Sequence, residues 1–337
     1  MIGTDIAIDL GTSRFKVYLD GKGIVVSEPS IIAVDNLTDE VIAIGSDAYD
    51  MLGRTSERIT VSRPLSNGVI SNFSMAEQLI SYYLKQISSS RVFMPRVVVS
   101  VPCNVTEVEK RAVVEAITAA GVRKVCLIEE PVAAAIGAGV DIAVPHGTMI
   151  VDIGEGATDM AVISLNGIAV ANSCNIAGAS FNDAIVKYVR KKFNLIIGDR
   201  TAEEAKIAIG CAYPRKTLLK YTLKGRNAMN GLPETTEMNS DEMIEALIEP
   251  AISIVRTVQE TLEATPPELL ADIFTDGIYL TGLYGFSTLL SKKTKIPVVT
   301  FENPENCVVL GAGKAIKYLD KMDTRGHGKL NPLVAYS

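Results

Sequence analysis

The sequence predicts an α/β protein built as two similar halves with a cleft between them. Three observations carry this reading. A pattern of strand, Gly-rich turn and strand occurs twice, as IAIDLGTSRFKVYL at residues 6–19 and MIVDIGEGATDMAVIS at residues 149–164. Each copy leads into alternating strand-like and helical segments. At 337 residues the chain is also too long for one ordinary core, so two domains with a site between them are expected.

Each copy carries the parts of an anion site. In the first, Asp9 ends a strand and Gly11, Thr12 and Ser13 make the turn; in the second, Asp152 ends a strand and the turn runs through Gly154, Glu155 and Gly156. Such turns present backbone N–H groups to an anion. With the two carboxylates facing across a cleft, the arrangement suits a magnesium nucleotide, the amides serving phosphate oxygens and Asp9 and Asp152 the hydrated cation. One copy alone reads better as an ordinary Gly-turned hairpin. Two copies imply a pseudo-repeat.

The bulk properties narrow the class. Hydrophobic residues are 47% and charged residues 21%, an ordinary globular balance with no disordered tract. A net charge of -6 does not suggest the basic face that broad nucleic-acid binding needs, although a local basic patch stays open. Cys103, Cys126, Cys174, Cys211 and Cys307 are odd in number and widely spaced, which indicates neither a disulfide framework nor a zinc site and points to a reducing cytosol. His146 and His327 are too few for a His-based triad or metal centre. No signal peptide precedes the first strand and no apolar run reaches spanning length, so any membrane contact is expected to be peripheral.

In chain order, the first hairpin leads to β-like runs at residues 23–27, 30–34 and 41–44. Leu79, Ile80, Tyr83, Leu84 and Ile87 recur at helical spacing and predict a helix over 75–88. A buried strand at 97–101 precedes an amphipathic helix over 106–120, with Thr106 as N-cap and Glu109 three residues on, and a strand at 125–128 follows. After the second hairpin come a strand at 168–173 and a helix over 181–193 with the stripe Phe181, Ile185, Val189 and Phe193. Residues 194–238 read as an inserted subdomain, with a helix at 202–208 and β-like runs at 217–223 and 235–238. A helix over 241–263 and strands at 277–281 and 298–300 close the second sheet; a helix over 309–321 crosses back to the first half, and the polar tail from Asp323 is expected to fray.

Between the halves, LIEEPVAAAIGAG (127–139) delivers two carboxylates to a proline and a helix of small residues that permit close backbone packing. Glu130 at the helix start is where a general base would stand, within reach of a water in line with a terminal phosphate. It reads equally as a first-turn acid favoured by the helix dipole.

Together, the two hairpins, the EEPVAAAIGAG connector and LGAGKAI (310–316) resemble the actin/Hsp70/sugar-kinase ATPase superfamily. GKGIVVSEPS (21–30), MLGRT (51–55), RPLSNGVISNF (63–73), PRVVVSVP (95–102), VTEVEKRAV (105–113), YVRKKFNLIIGDRTAEEAKI (188–207) and TPPELLADI (265–273) narrow the resemblance to the bacterial actin MreB family, over residues 4 to about 320. The resemblance implies an actin-like ATPase fold, two RNase H-like domains with inserted subdomains around a nucleotide cleft. Domain I would span 1–143 with an insertion near 30–75, domain II 144–308 with an insertion near 194–240, then a helix over 309–322 returning to domain I and a flexible tail over 323–337. It implies ATP and Mg2+ as ligands, self-assembly or co-assembly with a related MreB filament, and a cytoplasmic place at the inner face of the membrane among lipids and proteins of wall elongation. Carried onto this sequence, Gly11, Thr12 and Ser13 match the first phosphate loop, Asp9 and Asp152 the metal-side aspartates, Glu130 the catalytic glutamate, and Glu203 with Lys206 the pair that holds the nucleoside. Without the resemblance, Glu203 and Lys206 are a solvated Glu/Lys pair.

The departures from the family pattern fall on the nucleotide. Where the family has three glycines and a threonine, this chain has Gly154, Glu155, Gly156 and Ala157. Ala157 has no hydroxyl to polarise an attacking water, and Thr158 is expected on the other face of the strand. A Glu155 carboxylate about 5 Å from a phosphate charge would cost about 3 kcal/mol at an effective dielectric near 20, roughly a hundredfold in affinity, unless it turns outward or recruits Mg2+. In TGLYGFSTLL (281–290) Gly282 is kept, whereas Leu283 or Tyr284 would fill purine space or Tyr284 would stack on the base; Arg14 would place a cation near the phosphates and offset Glu155. These changes put the ATPase activity in question. The loop RVFMPR (91–96) corresponds to the family's membrane-inserting loop, with Val92, Phe93 and Met94 flanked by arginines, and otherwise reads as side chains tucked under the next strand. Two other functional readings stand beside a membrane-associated filament that organises cell-wall elongation: an impaired paralogue that regulates an active filament, and a soluble Hsp70-like or kinase-like ATPase.

Overall fold

The computed structural model describes residues 5–87, 95–319 and 333–336. In the first half, β1 (Ile6–Leu10), β2 (Arg14–Leu19) and β3 (Gly23–Pro29) form an antiparallel meander. The chain then leaves this sheet for a small one made of β4 (Ile32–Asp35), β5 (Val41–Ile44) and, after α1 (Ser46–Met51), β6 (Ile59–Ser62). A short hairpin of β7 (Leu65–Ser66) and β8 (Val69–Ile70) leads to α2 (Phe73–Ile87). Leu79, Ile80, Tyr83 and Leu84 of its apolar stripe are buried. Next come β9 (Arg96–Val101), α3 (Glu107–Ala119) and β10 (Lys124–Glu129), with β9 parallel to both β1 and β10. Thr106 caps α3 as its spacing predicts: Oγ1 accepts from the Glu109 N–H and the Glu109 carboxylate accepts from the Thr106 N–H.

The second half repeats the plan. After α4 (Glu130–Ala138), strands β11 (Thr148–Ile153), β12 (Thr158–Ser164) and β13 (Gly167–Cys174) form the second meander. α5 (Gly178–Phe193) buries Phe181, Ile185 and Val189. The insertion holds β14 (Leu195–Ile196), α6 (Asp199–Ile209), β15 (Lys220–Asn227) and β16 (Pro233–Asn239). α7 (Ser240–Glu263), α8 (Pro267–Asp276), β17 (Ile278–Thr281), α9 (Phe286–Thr294), β18 (Val298–Thr300) and α10 (Cys307–Ala315) follow, and β19 (Val334–Tyr336) ends the described chain. The main sheets run β19-β10-β9-β1-β2-β3 and β13-β12-β11-β17-β18. Setting β19 aside, both put three antiparallel strands before two parallel ones in the same order, so the twice-written hairpin is part of a twice-built sheet.

α4 and α10 lie between the two sheets and form the floor of the cleft. Their core joins Ala7, Val98 and Ile128 of one sheet to Ile150, Ala161 and Ile163 of the other. The helices meet backbone to backbone: a Cβ on Gly137 would collide with the Cys307 carbonyl, and one on Gly311 with the Ala133 carbonyl.

Three elements differ from the sequence reading. α8 and α9 span residues for which the sequence reading assigned no element, although Leu269, Leu270 and Ile273 of α8 and Phe286, Leu289 and Leu290 of α9 face the core at helical spacing. The tail does not simply fray: Val334–Tyr336 adds an antiparallel edge strand along β10, a segment too short to show a period, while 323–332 lie outside the described residues.

Candidate nucleotide site

The two β-hairpin turns face each other above the α4–α10 floor. The enclosed space is about 340 Å3, and its lining includes Asp9, Gly11, Thr12, Ser13, Arg14, Glu130, Asp152, Gly154, Glu155, Gly156, Ala157 and Gly282. Both turns are tied down by hydrogen bonds. Ser30 Oγ donates to the Gly11 carbonyl at 2.6 Å, and the Ser30 N–H to the Ser13 carbonyl at 2.9 Å. Thr12 Oγ1 accepts from Gly68 N–H at 2.9 Å, and Arg63 donates to the Thr12 and Ser13 carbonyls. The second turn closes with Gly154 N–H on the Ala157 carbonyl at 3.0 Å. Gly156 lies so near the other half that a Cβ there would come within 2.7 Å of Asn67 Cα.

Strand register fixes the charged groups. Asp9 stands opposite Lys16 in the first hairpin and Asp152 opposite Asp159 in the second. Lys16 Nζ is 4.0 Å from Asp9 and donates to the Glu305 carbonyl beside α10. Thr281 donates to Asp152 and accepts from the Ile153 N–H at 3.1 Å. Burial pushes the Asp9 carboxyl up to about 6 against the pull of Lys16, with the Asp152 charge adding to the rise. Asp152 is raised by burial, partly offset by the Thr281 hydrogen bond. Burial, then the charges of Asp159, Asp152 and Asp9, hold Glu130 well above the usual carboxylate range. Buried carboxylates that repel one another in this way hold their protons more tightly than exposed ones do. Among the described residues no group of three acidic, His or Cys side chains could hold a metal by itself.

Several residues singled out by sequence stand elsewhere than expected. Arg14 lines the cleft, but its guanidinium is spent on Ser27, with Nη2 donating to the carbonyl at 2.9 Å, so it does not offset Glu155. Glu155 turns along α5 to Lys206, 3.5 Å away. Lys206 also pairs with Glu203 at 2.7 Å, and this pair joins the cleft through Glu155 rather than lining it. Leu283 packs beside Gly210, and Tyr284 is 54% exposed under the Arg215 guanidinium, 3.8 Å from its ring centroid. Neither is in the cleft lining. Thr158 donates to the Ile176 carbonyl at 2.6 Å, on the face away from the cleft, as expected. Val92, Phe93 and Met94 lie outside the described residues. The sequence reading missed Lys16, Gly68, Asp159, Thr281 and Glu305. Lys16 and Asp159 follow their aspartates at the same spacing, 9 to 16 and 152 to 159, which is the signal that could have found them.

With this geometry in hand, comparison with known proteins is specific. The family model described as MreB/Mbl protein matches residues 3–324. The chain belongs to the MreB/Mbl family. It is 44% identical to the cell shape-determining protein MreB of Escherichia coli, over 95% of each chain. It is 41% identical to the cell shape-determining protein Mbl of Bacillus cereus, over 96% of this chain and 99% of that one. Its structure is similar to MreB5 of Spiroplasma citri bound to ADP, with a TM-score of 0.92 and 34% identity over 96% of this chain and 99% of that one. The doubled sheet and its insertions are thus the actin-like ATPase fold of this family.

Proposed function

We propose that this chain is an actin-like cytoskeletal protein that binds ATP with Mg2+ between its halves and polymerises at the inner face of the cell membrane. There it would organise wall elongation and cell shape with the membrane proteins of that machinery. The observation that carries the nucleotide reading is the pair of facing turns with Asp9 and Asp152 beside them, supported by the binding of ADP in one relative and AMPPNP in another solved form of Spiroplasma citri MreB5. The turn amides would hold phosphate oxygens, and Asp9 and Asp152 would hold the waters of Mg2+. When bound, the ion supplies charge neutralisation at the phosphates. Glu130, at the first turn of α4, would accept the proton of an attacking water. Among the described residues no helix is long and apolar enough to cross a membrane, so attachment would be peripheral.

A second reading, a weakly hydrolysing partner of an active filament, is favoured by Ala157, which lines the cleft without a hydroxyl while Thr158 is turned away. If the missing hydroxyl limits the rate, Ala157→Thr should raise ATP turnover on the order of 10²-fold. Brisk turnover by the wild type, with no gain in the variant, would remove this reading of the second turn. The filament proposal is tested by sedimentation with Mg-ATP, alone and with anionic lipid vesicles. Protein that stays in the supernatant in both would overturn it.

A further inference from the structure

The two inserted subdomains touch across the cleft through the Arg200 side chain. Arg200 stands in the first turn of α6, on the second insertion, and its Nη1 lies 3.5 Å from Asp50 Oδ1 near the end of α1, on the first. Its guanidinium carbon is 5.2 Å from the centroid of the neighbouring Tyr49 ring. The arm is aimed from behind. Arg200 Nε donates to Glu204 Oε1 at 3.2 Å and Tyr221 of β15 donates to Glu204 Oε2 at 3.2 Å, so one carboxylate steadies the guanidinium and is itself held by the strand beside α6. Further along α6, Lys206 pairs with Glu203 at 2.7 Å and lies 3.5 Å from Glu155 of the second phosphate turn. On the other side, Tyr49 is within charge range of Arg63, which donates to the Thr12 and Ser13 carbonyls of the first turn.

Each end of the contact is thus tied to one phosphate turn, α1 through Arg63 to the first and α6 through Lys206 to the second. A nucleotide seated between the turns leaves as the halves part, and parting the insertions separates Arg200 from Asp50 and Tyr49. We propose that Arg200 is a latch between the insertions that slows release of the bound nucleotide. The proposal rests on the nucleotide reading above and adds the regulation of that site. Arginine suits the role because its planar guanidinium bonds carboxylates at its edges while its face stacks on an aromatic ring, which an ammonium cannot do. The contact is also built to open. The Asp50 side chain is 71% exposed and that of Arg200 32%, so solvent screens the ion pair, while the ring face keeps part of its attraction for the cation. A latch of this strength shifts the ratio of closed to open halves by roughly two- to fivefold without locking them.

The test is stopped-flow release of mant-ADP, with Mg2+ present and excess ATP as chase, from wild type, Arg200→Ala, Asp50→Ala and the double variant. Amide hydrogen exchange of the same proteins without nucleotide accompanies it. Arg200→Ala should release mant-ADP roughly two- to fivefold faster than wild type, and Asp50→Ala by a smaller factor because the Tyr49 contact remains. The double variant should be no faster than Arg200→Ala, since both changes remove one shared contact. The differences should shrink at about 0.5 M salt. Without nucleotide, Arg200→Ala should speed exchange in α1, on the far side of the cleft from the substitution. Wild-type release from folded Arg200→Ala, factors that multiply in the double variant, or unchanged exchange in α1 would each overturn the latch and leave the nucleotide reading standing. A wild type that binds no mant-ADP would overturn both.

Discussion

Replacing Gly311 with valine is expected to remove more than about 3 kcal/mol of stability, a large part of the roughly 5–15 kcal/mol that holds a typical protein folded. The reason is the floor of the cleft. α4 and α10 cross so closely that even a methyl group at Gly311 would overlap the Ala133 carbonyl, and backbone cannot turn aside as a side chain can. Valine would force the helices apart along a core that touches both sheets, opening voids beside Ala133, Ala134 and Ala312. The damage should reach the site, because Glu130 opens α4 and the Glu305 carbonyl that anchors Lys16 lies just before α10. Urea denaturation followed by circular dichroism would measure the effect, with Gly167→Ala on exposed β13 as a control expected to shift stability by less than about 0.5 kcal/mol. A loss below about 1 kcal/mol for Gly311→Val would mean that the two helices separate freely and do not form a fixed joint.

This joint was partly legible in the sequence, and it shows which features were. The run Ala133–Ala135 announces close packing because small residues permit nothing else, and both hairpins announce themselves because strand, glycine turn and strand are contiguous in the chain. Asp9, Asp152 and Glu130 were therefore found at the cleft lining. Local pattern does not reveal where a long side chain ends. Glu155 sits in a legible turn, but its direction depends on space at Gly178 and on the charge of Lys206, a helix away. Tyr284 was read as facing a purine because its segment resembles a family site; the Arg215 guanidinium, held to the Gly210 carbonyl at 2.8 Å, draws its ring outward instead. α8 was missed although Leu269, Leu270 and Ile273 recur at helical spacing and pack on the second core, because the helix is only 10 residues long and follows two prolines that read as a break.

Burial also works against the charge of Asp159, and its replacement by asparagine is expected to stabilise the protein by about 2–3 kcal/mol at pH 7.5. The residue is 1% exposed; Oδ1 accepts from the Cys103 N–H at 3.0 Å, while Oδ2 is buried with no partner among the described residues. Burial, opposed by the Cys103 N–H and aided by the Asp152 charge, with a smaller opposing pull from the Ser173 hydroxyl, pushes the carboxyl from 3.8 up to about 6. A pKa raised in the folded state means that the native protein binds this proton more tightly than the unfolded chain does. The group's contribution is therefore fully present below the unfolded value and is lost as pH rises through about 6, so at pH 7.5 the carboxylate is a burden of about 3 kcal/mol. Asparagine keeps the oxygen that Cys103 needs and removes the charge. It also turns an N–H toward the field of Asp152, which favours a donor. The gain should fade between pH 6 and pH 4, where wild type becomes neutral by taking up a proton. Thermal melts of the nucleotide-free pair at pH 4.5 and 7.5 would separate this account from simple repacking, which would give the same shift at both. A variant less stable than wild type at pH 7.5 would mean that the carboxylate draws on a donor, such as the Ser173 hydroxyl, that asparagine cannot serve as well.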